Sequence, residues 1–69
     1  MPKLPRLRWY RERQALSQEE LARAAGVSRV TISRIEGGED AFPQTARKLA
    51  AALSVAPVEL MEEEGKAAA

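Results

Sequence analysis

The side chains with the most usable chemistry fall in the segment Ser28–Glu36, where Arg29, Val30, Ser33 and Arg34 lie close together. A guanidinium is a rigid fork of donors that can bind guanine O6 and N7 through two parallel hydrogen bonds. A valine can pack on the thymine methyl, and a serine hydroxyl can serve either base type. Each bidentate arginine contact would discriminate against a wrong base by about 1–3 kcal/mol. The set is suited to the edges of base pairs.

Other chemistries lack their parts. Histidine and cysteine are both absent, which removes the commonest general base, the commonest metal ligand and any thiolate. The adjacent carboxylates Glu19 and Glu20 could suggest acid–base work. Helix capping accounts for Glu20, however, and surface exposure for Glu19. There is no Gly-rich phosphate loop, metal-ligand spacing or nucleophile–base set. The expectation is a non-enzyme with no catalytic residue, no metal, no cofactor and no small-molecule ligand.

For the four residues to act together, their segment must be helical. The β-branched run Val30-Thr31-Ile32 taken alone favours a strand. Ile32 and Ile35 sit three apart, though, and Gly37-Gly38 supplies a stop after Glu36, so a helix is predicted over about 29–36. If both isoleucines point inward, Arg29, Val30, Ser33 and Arg34 face outward or flank that face. Ser28 is its N-cap.

The element before it is sharply marked. Ser17-Gln18-Glu19-Glu20 is a capping box, Leu21, Ala22 and Ala25 share one face, and Gly26 ends the helix. Two short helices joined through Gly26 and Val27 must cross steeply, as in a helix-turn-helix. The small Ala22 lets them approach, with Val27 and Ile32 as apolar bulk over the crossing. Ser28 and both helix N-termini offer N–H groups to phosphate oxygens.

Around this pair the chain supplies a frame. Residues 1–4 read as a flexible arm, and Pro5 opens a helix reaching about Gln14, with Leu7, Tyr10 and Arg11 at helical spacing. Trp9 leans off the inner face, either to cover a core edge or to meet a partner. Phe42, a lone aromatic in the loop from Glu39 to Pro43, is expected to plug the core. A fourth helix runs from Pro43 or Gln44 through Leu53 on an inner face of Leu49, Ala50 and Leu53. Pro57 opens a short last helix carrying Val58, Leu60 and Met61. Residues 62–69 read as a frayed acidic and alanine-rich tail. The expected fold is all-α: a compact five-helix domain over 5–61.

The net charge of +1 conceals a polarity. Residues 1–36 carry eight basic and four acidic side chains, whereas residues 37–69 carry three and six. Such a molecule can turn a basic face to a polyanion and an acidic one away from it. No apolar run approaches the roughly 20 residues of a membrane span. A soluble, cytoplasmic, nucleoid-associated protein without membrane contact is expected.

The stretch Leu16–Glu36, LSQEELARAAGVSRVTISRIE, resembles the phage-repressor (Cro/cI, XRE-type) helix-turn-helix DNA-binding family. The likeness extends more loosely from Leu7 to Met61. It implies a lambda-repressor-like domain whose helix-turn-helix lies at helices 2 and 3. Gln18, Ser28 and Gly37 then match phosphate-contacting positions, and Arg29, Val30 and Arg34 match those nearest the bases. Arg11 and Glu36 match a partly buried structural ion pair, and Val55, Pro57, Val58 and Met61 match the patch where related domains dimerise. Glu39 and Asp40 depart from the pattern, because the family often carries Lys or Arg there. Pro57 also departs, replacing an ordinary helix-starting residue.

The resulting expectation is sequence-specific binding of double-stranded DNA as a transcriptional regulator of repressor type. A homodimer would read a palindromic operator with its recognition helices about 34 Å apart. A regulator that also binds a protein partner such as a toxin is the alternative, suggested by Trp9 and the acidic C-terminal end. A non-DNA adaptor on the same helices is a third reading.

Overall fold

The computed structural model describes residues 2–62. Five helices follow one another: α1 (Leu7–Arg13), α2 (Gln18–Ala25), α3 (Arg29–Glu36), α4 (Pro43–Leu53) and α5 (Pro57–Met61). The described residues contain no strand. The β-branched run in α3 is overridden by its surroundings, because Ile32 and Ile35 both reach the core.

Local chemistry sets the ends of these helices. The Ser17 hydroxyl accepts from the Glu20 N–H at 3.0 Å, and the Ser17 N–H donates to the Glu20 carboxylate at 2.9 Å. This reciprocal pair satisfies two of the orphan donors at the start of α2. Gly26 ends the helix in the left-handed region, at φ +73°, with its N–H on the Ala22 carbonyl. Ser28 caps α3 by accepting from the Thr31 N–H at 3.1 Å. Pro43 and Pro57 each begin a helix where a missing N–H does no harm. At α5, the Glu59 carboxylate takes the Ala56 N–H at 2.8 Å and so compensates for the alanine cap.

One core joins all five helices. Leu4, Leu7, Leu21, Ile32, Leu49, Leu53 and Leu60 are essentially inaccessible to water. The alanines Ala22, Ala46 and Ala50 are buried between them, keeping α2, α3 and α4 close. Val27 packs on this core at the turn between α2 and α3.

Two expectations are corrected. The first concerns residues 1–4, which do not form a free arm over the described part. Leu4 is only 2 % exposed, Pro2 accepts the Ala41 N–H at 2.7 Å, and Lys3 reaches the α3–α4 loop. In a chain this short, one more leucine in the core outweighs the entropy of a loose segment. The second concerns Phe42, which is 65 % exposed and not a core plug. Its neighbour Ala41 takes the interior place at 2 % exposure, and extended backbone at Phe42 turns the ring outward. Of the expected tail, Glu62 is exposed, and residues 63–69 lie outside the described residues.

Candidate nucleic-acid interface

The outer side of α3 carries Arg29, Val30, Ser33 and Arg34, all exposed, while Ile32 and Ile35 hold the inner side in the core. The 3.6-residue period thus brings the four predicted side chains to one surface and leaves them free of packing duty. Among the described residues neither Arg29 nor Arg34 forms an ion pair, so both guanidinium forks are open to an acceptor. Val30 is 48 % exposed beside them. An apolar group among donors suits a groove floor that mixes methyls with acceptors.

The residues assigned to phosphate lie at the borders of this surface. Ser28 is exposed at the start of α3, but its hydroxyl is already bonded to the Thr31 N–H and lies 2.8 Å from the Thr31 hydroxyl. Gly37 is exposed at the end of α3, at an ordinary φ of −81°. Gln18 is half-buried, and its amide nitrogen donates to Glu36 at 3.0 Å. This bond fixes the start of α2 against the end of α3.

The Arg11–Glu36 pair sits beneath. Arg11 Nε donates to Glu36 Oε2 at 2.6 Å and Nη2 to Oε1 at 3.0 Å, while Nη1 donates to the Leu16 carbonyl at 2.8 Å. Both side chains are largely withdrawn from water. Burial opposes the charge on Glu36, yet the bonds from Arg11 and Gln18 more than offset it, and the carboxyl titrates below the usual range. The Arg11 guanidinium is in turn held protonated by its hydrogen bond to Glu36. These contacts lock α1, the α1–α2 turn, α2 and α3 into one body, so the outer face of α3 is presented on a rigid support.

Sequence reasoning missed the N-terminal segment's part in this region. Lys3 Nζ donates to the Gly38 carbonyl at 2.8 Å and pairs with Asp40 at 3.0 Å. The loop whose acids broke the family pattern therefore receives its positive charge from elsewhere in the chain. The neighbouring lysine holds the Asp40 carboxyl below its ordinary range. No spacing rule in the sequence links positions 3 and 40; the buried Leu4 does so.

On the other side of α1, Trp9 is half-buried. The Arg6 guanidinium lies 4.2 Å from its ring centre, that of Arg13 lies 4.6 Å away, and Tyr10 meets it edge-on at 4.8 Å. Its ring is thus engaged by neighbouring side chains of the same domain. Of the residues assigned to a dimer patch, Val58 and Met61 are exposed, whereas Val55 and Pro57 are half-buried.

Comparison with known proteins agrees with this geometry. A family model described as "Helix-turn-helix domain" matches residues 5–63. The chain is 46 % identical over 54 residues to the HTH-type transcriptional regulator PrtR of Pseudomonas aeruginosa, covering 78 % of this chain and 21 % of that protein. It is 52 % identical over 44 residues to a putative HTH-type transcriptional regulatory protein of Methanocorpusculum labreanum, covering 64 % of this chain and 14 % of that protein. The chain thus spans about a fifth or less of the length of these curated relatives. No solved structure gives a significant match. With a capped α2, a left-handed glycine turn and an α3 whose outer side is unencumbered, the chain belongs to the XRE-like helix-turn-helix family of DNA-binding domains.

Proposed function

We propose that this domain binds double-stranded DNA sequence-specifically as part of a transcriptional regulator of repressor type. In this reading α3 enters the major groove, and Arg29, Val30, Ser33 and Arg34 meet base edges. The observation that carries it is the division of labour on α3, with two isoleucines spent on the core and, on the outside, two arginines that form no ion pair among the described residues. The relatives named as transcriptional regulators support the same reading. Gln18, Ser28 and Gly37 contact phosphates at its borders, through their backbone N–H groups where a side chain is already engaged.

A single short helix reads few base pairs, so the bound form is a homodimer on a palindromic site. Val58 and Met61 form the exposed part of the pairing patch, with Val55 and Pro57 behind them. The site of action is the nucleoid in the cytoplasm. Selection of bound sequences from a random duplex pool, with oligomeric state measured in parallel, tests the proposal. It predicts recovery of an inverted repeat whose half-site centres lie about one helical turn apart. Recovery of sequences without a shared motif would count against specific recognition.

A further inference from the structure

The exposed ring of Phe42 is unexplained by the core and by the residues assigned to bases or phosphates. It stands at the N-cap of α4, where its side chain makes no capping bond. With 65 % of the residue in water, it is the most exposed of the large apolar residues described. It lines a cleft with Thr31 and Arg34 of α3, Asp40 of the loop and Thr45 of α4. The cleft therefore runs from the proposed base-reading surface to the start of α4.

We infer that Phe42 is a further DNA-contacting residue, its ring packing on the deoxyribose of the strand that borders the groove entered by α3. This rests on the proposed docking of α3. Arg34 and Phe42 line one cleft, so in that docking the strand bordering Arg34 runs past the ring. The DNA backbone alternates charged phosphates with neutral, largely apolar sugars. Glu39 and Asp40 line the same cleft, three and two residues before the ring. Asp40 is paired with Lys3, but among the described residues Glu39 has no ion pair and repels a phosphate, so the backbone component that fits this corner is the sugar. A phenyl ring offers broad apolar area at little conformational cost. The cleft with Arg34 favours DNA over a second copy of the chain as the occupant.

The test compares the wild-type domain with the Phe42→Ala and Phe42→Tyr variants. Each is titrated with a duplex selected by the wild type, across a salt series, and sedimentation is measured without DNA. Phe42→Ala should weaken binding about tenfold, as expected for loss of one apolar contact. The slope of log affinity against log salt should be unchanged, because no phosphate contact is lost. Phe42→Tyr should restore most of the affinity, and thermal stability and self-association should match the wild type throughout. Unchanged affinity in Phe42→Ala would overturn the assignment. So would a loss that tracks weaker self-association, which would place the ring between two copies of the chain. Failure of the parent reading is separable, since the wild type itself would then bind no duplex in a salt-dependent way.

Discussion

Glu36, the last residue of α3, is gripped by Arg11 of α1 through two parallel hydrogen bonds at 2.6 and 3.0 Å. The same arginine also holds the Leu16 carbonyl at the entry to α2. One guanidinium thus ties the exit of the proposed recognition helix to the element before the helix-turn-helix. The pair's net worth is limited by the cost of desolvating two charges, but removing one partner strands the other. Glu36→Ala should therefore lower unfolding free energy by about 3 kcal/mol, read by urea denaturation at neutral pH. A change no larger than that of an exposed pair would show that the pair is solvated in solution.

Acid should act through the same carboxylate. The Glu36 pKa is depressed in the folded state, so its contribution is present above the unfolded value and is lost as pH falls through the folded one. Glu20, holding the Ser17 N–H, and Asp40, beside Lys3, are shifted in the same direction. Stability should decline below about pH 4, and the gap between wild type and Glu36→Gln should narrow there. A gap that stays constant from neutral pH into that range would contradict this assignment.

Among the described residues, two non-glycine residues sit in the left-handed region, Ala15 at φ +57° after α1 and Ser54 at φ +59° after α4. A Cβ is disfavoured there by about 1 kcal/mol, and glycine relieves it. Glycine also adds entropy to the unfolded chain, which takes back part of the gain. Ala15→Gly and Ser54→Gly should each stabilise the domain by about 0.5 kcal/mol, seen as a small rise in melting temperature. A fall in both variants would show that the backbone at these turns is not left-handed.

Leu4 should behave as a core residue despite its place near the N-terminus. Its side chain is as buried as those of the helices, so Leu4→Ala should cost about 2–4 kcal/mol. A frayed segment would give nearly no effect.

Lys3 and Asp40 should be coupled in DNA binding. Lys3→Ala leaves Asp40 without its ion-pair partner on the proposed DNA side, and should weaken binding several-fold at low salt. Asp40→Ala in that background should recover much of the loss. Additive effects in the double variant would mean that the two charges act separately.

Much of this architecture was readable from residue spacing. The capping box at Ser17–Glu20 and the Gly26 turn fix α2 by local bonds alone, and the Ile32/Ile35 interval orients α3 once Gly37-Gly38 bounds it. What escaped depends on contacts between distant parts of the chain. Leu4 could be placed inside only by knowing that residue 2 pairs with residue 41, and local patterns carry no such information. Phe42 misled because aromatic bulk suggests burial, whereas the buried position in this loop is taken by its neighbour Ala41. The left-handed turns at Ala15 and Ser54 carried no glycine to announce them.

The role of the outer face of α3 is tested most directly by comparing wild type and Arg34→Ala against every single-base variant of the selected site and against unrelated duplex. Arg34→Ala should lose about tenfold or more on the selected site, become indifferent to the base at one symmetric position, and keep its weak binding to unrelated DNA. Equal weakening on all sequences, with preferences at every position intact, would contradict base reading by this residue and reduce it to a phosphate contact.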